Sequence, residues 1–260
     1  MAEVPPALDI RSLSKRFGGL EAVSDLSLRV APGEIYAFLG PNGAGKTTTI
    51  KTVVGLLQPE AGEVWVNGEK VAPDALGFRR HLGYVADRPF LYEKLTAWEY
   101  LEFLAAVHRL KGWEKDAESY LDLFKLMPWR HQLIEGYSHG MRQKLVLTGA
   151  LLHRPRLLLV DEPMVGLDPR SARDVKSLFG HLSAEGSGLF LSTHSLDTAS
   201  QVAHRIGILN AGKLVAEGTF SELQQKAHQP GSTLEEVFLK LTEEEADGTV
   251  DFPAGETQIP

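Results

Sequence analysis

The run Gly40, Pro41, Asn42, Gly43, Ala44, Gly45, Lys46, Thr47 and Thr48 fits the spacing G-x-x-x-x-G-K-[ST], and the chemistry this spacing serves is the grip on a polyphosphate. Gly43 and Gly45 let the backbone curl, so that successive N–H groups converge on β- and γ-phosphates. A helix starting behind the loop adds its partial positive charge. Lys46 brings a full positive charge, and the Thr47 hydroxyl is set to bind Mg²⁺. The flanks agree: Ile35–Leu39 is an apolar run that reads as a buried strand, and Thr47–Leu57 reads as a helix. The expected ligand is a nucleoside triphosphate.

A second constellation lies far along the chain. Leu157-Leu158-Leu159-Val160 reads as a fully buried parallel strand that ends in Asp161-Glu162, with Pro163 forcing the chain out. Neighbouring strand residues point to opposite sides, so the two carboxylates take different work. Asp161 is expected to face the phosphate loop and hold Mg²⁺, and Glu162 to face the γ-phosphate and polarise the attacking water. Gly188–Ser192 is another apolar strand with His194 just past its carboxyl end, where ligands sit in open α/β sheets. Ser138 is an N-cap for a helix over Met141–Leu152, and that capped end is either structural only or a second anion site. Phe17, at a strand end, either packs in a core or offers a flat face to adenine.

These groups need a scaffold. Leu8–Phe17 and Leu20–Val30, separated by Gly18-Gly19, read as an antiparallel hairpin, and Glu63–Val66 as a further strand closed by Asn67-Gly68. Leu82–Val85 is a short strand leading to Asp87. From Thr96 to about Leu126 the apolar spacing turns helical, stopping at Pro128, which suggests a helical subdomain inserted between strand-rich regions. Gly166-Leu167-Asp168-Pro169 is a turn into a helix over Arg170–Ser183. Arg205–Leu209 and Lys213–Glu217 form a hairpin, and helices over Ser221–Ala227 and Thr233–Leu241 follow. The acidic stretch 243–260 is poor in apolar residues and reads as disordered. The run Pro89-Phe90-Leu91-Tyr92 is either core or an exposed patch for a partner.

At 260 residues, with 43% hydrophobic and 23% charged residues, the chain is an ordinary globular composition able to bury a sizeable core. A net charge of −7 with no basic stripe speaks against a nucleic-acid partner. The absence of cysteine excludes disulfides and thiolate metal sites. The first residues, Met1–Leu8, do not read as a signal peptide, and no apolar run approaches the ~18 residues of a membrane span. Any membrane role is expected to come through a partner.

Assembled, these residues resemble the ATP-binding subunit of an ABC transporter, over Leu8 to about Leu241. In that resemblance Gly40–Thr48 is the Walker A motif and Leu157–Glu162 the Walker B motif with its catalytic Glu. Gly166-Leu167-Asp168 is similar to the D-loop, His194 to the switch histidine, and Phe17 to the aromatic that stacks on adenine. Ser138-His139-Gly140-Met141-Arg142-Gln143 corresponds to the Leu-Ser-Gly-Gly-Gln signature, keeping its Ser and second Gly but not its first Gly or its Gln. Asp87 stands where the family usually has Gln. Looser signatures of this kind occur in bacterial exporters whose permease is a separate polypeptide.

The resemblance implies an α/β, RecA-like P-loop core, an N-terminal antiparallel β-subdomain and an α-helical subdomain at about Thr96–Leu152, all within one ATP-binding domain over 8–242. It implies an ATPase using ATP and Mg²⁺ that energises export through an integral-membrane permease, from the cytoplasmic face. Two copies, or one copy and a paralogue, would sandwich two ATP. Lys46 and the loop amides would stabilise the phosphates, Thr47 and Asp161 (with Asp87 as a further oxygen ligand) would hold the metal, and Glu162 and His194 would act on the γ-phosphate. Ser138 and Gly140 would reach the partner's nucleotide, and Asp168 would carry contact between the two sites. A soluble ABC ATPase of a non-transport assembly, such as cluster assembly or cell-envelope signalling, is the alternative. A module that only senses nucleotide is a third reading, against which Glu162 and His194 both speak.

Overall fold

The computed structural model describes residues 4–88 and 90–243. Its chain opens with the expected hairpin: β1 (Leu8–Phe17) pairs antiparallel with β2 (Leu20–Val30), Phe17 standing opposite Leu20. With β4 (Ala61–Val66) and β5 (Glu69–Lys70) they make a sheet in the order β2-β1-β4-β5. A second sheet joins β3 (Ile35–Leu39), β6 (Leu82–Val85), β7 (Leu157–Asp161), β8 (Gly188–Ser192), β9 (Arg205–Asn210) and β10 (Lys213–Gly218). Its order is β10-β9-β3-β8-β7-β6, parallel throughout except for β10, which runs antiparallel to β9. The mixed α/β architecture is the one the sequence predicts.

Alternation along the buried strands sends side chains to two separate cores. Tyr36, Phe38, Leu157, Leu159 and Phe190 pack with Ile50 and Val53 of α1 (Lys46–Val53) and with the inner face of the β1–β2 hairpin. Leu158, Val160, Leu189 and Leu191 pack on the other side with α4 (His139–Leu151) and α5 (Pro169–Ala184). The same cluster continues into the helical lobe, α2 (Ala97–Val107) and α3 (Glu114–Leu123). A third cluster at the sheet edge sets Ile206 and Ile208 against α6 (Leu196–Val202), α7 (Phe220–Lys226) and α8 (Leu234–Glu243). Arg205 ties that edge together by pairing with Glu34 and Glu217 over the buried Tyr36 ring.

Several boundaries differ from the sequence reading for local reasons. α1 stops at Val53 rather than Leu57 because Gly55 turns left-handed, φ 76°, with the Phe78 ring against it. The helical run after Thr96 divides into α2 and α3 at Arg109 and Gly112, both at positive φ. Thr96 and Glu99 form a capping box that fixes the start of α2. α6 is an element that the sequence reading lacks, and β5 is too short to carry a pattern. α8 reaches Glu243, one residue into the stretch expected to be disordered, and 244–260 lie outside the described residues.

The lobe is keyed to the core by two stacked imidazoles. His108, at the end of α2, lies 4.1 Å from His153, whose Nε2–H donates to the Leu82 carbonyl of β6. Burial, reinforced by His108, pushes His153 down to about 4, so it is neutral and its Nε2 carries the proton. No helix among the described residues is long and apolar enough to cross a membrane.

Candidate functional site

β3 sits inside the parallel array between β8 and β9, so its carboxyl end opens where the crossover connections part. The loop that follows is pressed against backbone on two sides. A Cβ on Gly40 would lie 2.4 Å from the Leu209 carbonyl, and one on Gly45 2.3 Å from the Ala22 carbonyl. Gly45 also holds φ 107°. The turn of the β9–β10 hairpin braces the loop: Gly212 N–H donates to Ala44 O at 3.0 Å, and Ser24 N–H to Gly212 O at 2.9 Å. α1 begins at Lys46 with no side-chain cap, which leaves its first N–H groups for a ligand. Lys46 Nζ donates to the carbonyls of Gly40 and Pro41. Burial lowers its pKa, while Glu162 and Asp161 oppose that shift.

Asp161 ends β7 on the face shared with Leu157 and Leu159, the face that packs on α1. Burial raises its pKa, and the charges of Glu162 and Asp87 add to the effect against Lys46. Glu162 is placed differently from the strand alternation expected for it. The strand ends at Asp161, and Glu162 turns left-handed at φ 52° with its N–H on Ser192 O at 2.8 Å. This turn, not the pleat, separates the two acids. The Glu162 carboxylate accepts from the Thr193 hydroxyl at 3.0 Å, the His194 N–H at 3.0 Å and the His194 ring Nδ1–H at 2.7 Å. Since a carboxylate only accepts, His194 carries its proton on Nδ1 and leaves Nε2 free.

These groups line one cavity of about 630 Å³, with Pro41–Thr48, Asp87, Asp161, Glu162, His194 and Phe17 in its wall. Phe17 is half-exposed at the rim, with Lys15 Nζ 5.5 Å from its ring centre. Asp87 is exposed, and no ion pair among the described residues joins it to Arg88. Among the described residues no set of three or more His, Asp or Glu forms a metal cage. That suits Mg²⁺, which usually takes one or two carboxylates and completes its shell from substrate phosphates and water. A half-buried carboxylate with a raised pKa, Asp161, near the hydroxyl-bearing Thr47 is a donor set of that kind.

Four expected site residues lie outside the cavity wall. Ser138 caps α4 by accepting from Met141 N–H at 3.3 Å, and Gly140 follows it in the first turn. Asp168 caps α5, accepting from Arg170 N–H at 3.0 Å and Ser171 N–H at 3.1 Å. Gly40 serves through its carbonyl, under Lys46. The sequence reading also lacks Ala22, Ala211 and Gly212, which line the cavity, and Thr193, which orients Glu162. Thr193 had a signal in its place beside His194 at a strand end, whereas Ala22 had none.

The chain is similar to known proteins over most of its length. The family model described as "ABC transporter" matches residues 23–165. The daunorubicin resistance ATP-binding protein DrrA3 of Streptomyces coeruleorubidus is 36% identical over 234 residues, covering 89% of this chain and 73% of that protein. A solved ATP-binding subunit of an ABC transporter superposes with a TM-score of 0.87 at 33% identity, over 90% of this chain and 99% of the other. An ATP-binding cassette solved as a dimer in a post-hydrolysis state, bound to ADP and Pi, matches with a TM-score of 0.74 at 25% identity, over 82% and 98% of the two chains.

The two glycines of the loop separate the effects of space and conformation. Gly43 is at φ 82° with open space around it, and Gly45 is at φ 107° against the Ala22 carbonyl. Gly43→Ala should lose only the left-handed term, about 1–2 kcal/mol, whereas Gly45→Ala should lose clearly more in urea unfolding. Equal losses would contradict the contact with Ala22.

Proposed function

Because the chain belongs to the ABC transporter family of ATP-binding proteins, a family of ATPases, we propose that it hydrolyses ATP to drive export through a separate membrane permease. The observation that carries the reading is the Glu162 carboxylate, held by Thr193 and His194 at the wall of the cavity that the phosphate loop forms. Lys46 leaves its two carbonyls for the β- and γ-phosphates, and the loop amides and the start of α1 complete the cradle. Thr47 and Asp161 would hold Mg²⁺, which when bound would screen phosphate charge. Glu162 orients the attacking water and takes its proton, and Phe17 stacks on the adenine. Because Nδ1–H already serves Glu162, His194 reaches the γ-phosphate only as the imidazolium, which donates from Nε2–H.

Ser138, Gly140 and Asp168 stand outside this cavity, so their partner is the nucleotide site of a second ATP-binding subunit. The dimer solved for a related cassette supports that arrangement. The resistance protein among the relatives favours export over the soluble non-transport assembly. The permease contact is assigned to Phe90 and Tyr92. Phe90 is 82% exposed, while Leu91 between them is buried. Phe90, Tyr92 and Phe103 form an edge-to-face ladder with centroids 5.5 and 5.6 Å apart. Of the two readings for this run, the exposed patch fits Phe90 and Tyr92, and the core reading fits Leu91. Such a surface accepts an apolar helix from a permease on the cytoplasmic side of the membrane.

Three outcomes test these roles. Glu162→Gln should lower turnover by about 10²–10⁴-fold with ATP binding kept, and unchanged turnover would remove Glu162 from its role. Asp87 adds a fourth carboxylate to a cavity lined by Glu21, Asp161, Glu162 and a single lysine, so it should repel ATP without metal and help hold Mg²⁺ through water. The ratio of ATP affinities in excess Mg²⁺ and in chelator should therefore shrink in Asp87→Gln; an unchanged ratio would assign Asp87 to the surface alone. Phe90→Asp should abolish co-purification with its permease and leave ATP binding intact, whereas retained co-purification would place the contact elsewhere.

A further inference from the structure

The turn that follows Glu162 is covered by a side chain from another element. Its backbone closes through Val165 N–H on Glu162 O and Leu167 N–H on Met164 O, both 3.3 Å, and it delivers the chain to Asp168 at the head of α5. Gly166 in this turn is at φ 77°. A Cβ built there would lie 2.1 Å from His139 Cδ2 and 2.5 Å from His139 Nε2. The imidazole thus occupies the place that any other side chain at 166 would fill. The next residue of α4 is close as well, since a Cβ on Gly140 would come to 3.4 Å of the Gly166 carbonyl.

His139 does not line the nucleotide cavity. No hydrogen bond or ion pair among the described residues holds its ring, so its hold on the turn is one of shape. Behind it, α4 is rooted in the core shared with the helical lobe, through Leu145, Leu147 and Leu151. The ring is therefore the contact between the first turn of a lobe helix and a loop with Glu162 at one end and Asp168 at the other.

We propose that His139 is a positioning residue for hydrolysis: by packing on Gly166 it fixes the turn between Glu162 and Asp168 to the start of α4, and so sets turnover in its own chain's cavity, which it does not line. The proposal rests on the ATPase reading of the site. A group that acts on the turn alone changes kcat and leaves the grip of the phosphate loop as it is.

The test compares steady-state ATP hydrolysis by the full chain and its variants. His139→Ala is expected to lower kcat on the order of tenfold, about 1.4 kcal/mol, with KM for ATP within about twofold of the natural protein. His139→Phe, which keeps a flat ring, should recover most of that loss. Gly166→Ala should be impaired because its methyl meets the ring, and Gly166→Ala combined with His139→Gly should exceed Gly166→Ala alone, since the space is then free. Natural kcat in His139→Ala would overturn the proposal, as would equal loss in the Ala and Phe variants or a KM that rises in step with the fall in kcat. Glu162→Gln run alongside separates the two readings. If that variant hydrolyses ATP normally, the site assignment fails; if it is inactive while His139→Ala is normal, only the His139 proposal fails.

Discussion

The backbone of residues 40–45 is wedged between two sheets, and the site exists only while both are docked. Gly45 lies against Ala22 in the antiparallel sheet, and Gly40 lies against Leu209 in the parallel one. The Ala44–Gly212–Ser24 hydrogen-bond chain then links all three segments. The shape of the phosphate loop is thus a tertiary property, although its residues are contiguous. Phe17, carried by β1, reaches the same cavity only because the hairpin is held there by this contact. Anything that loosens the β-subdomain should loosen the loop with it.

The second constraint is electrostatic. One ammonium, Lys46, shares a partly enclosed cavity with Asp161, Glu162, Asp87 and Glu21. Burial acts against charge on both sides, lowering Lys46 and raising Asp161. Each shift says that the charged form is under-solvated, and a charge taken from water without a full set of partners is costly. The polyphosphate and cation of the proposed mechanism would supply the missing partners to both groups at once. Glu162 is treated differently, since three donors already hold its carboxylate. In the proposed mechanism Glu162 is the group that must stay fixed, and it is the one the protein satisfies itself.

Much of this was legible in the sequence, for identifiable reasons. The limits of β1 and β2 follow from alternation and from Gly18-Gly19, and β3 and β7 from apolar runs, the second closed by Pro163. The phosphate loop is legible because its contacts demand glycine at fixed positions. The helical run after Thr96 was legible as helix but not as two helices, because left-handed Arg109 carries no local signal. The turn at Glu162 left a faint mark: a residue before proline is disfavoured in the right-handed helical region, which already argues against a simple continuation into helix. Its left-handed value, and the donors that stabilise it, come from β8 and the residues after it, more than thirty positions away. The contact of His139 with Gly166 is of the same kind and has no sequence signature.

The residues outside the cavity raise a question of attribution that their geometry answers. Asp168 uses its carboxylate to cap α5, accepting from two backbone N–H groups and from the Ser171 hydroxyl. Those bonds, that of the Ser171 hydroxyl first, hold its pKa below the usual carboxylate range. Ser138 likewise uses its hydroxyl on α4. Neither side chain is idle in the single chain. A loss of activity on replacing either with alanine therefore mixes a frayed helix start with any contact to a second subunit. Asparagine at 168 and threonine at 138 keep the cap while changing charge or shape. What remains lost in those variants would belong to the proposed contact with a second subunit, and what returns belongs to the helix.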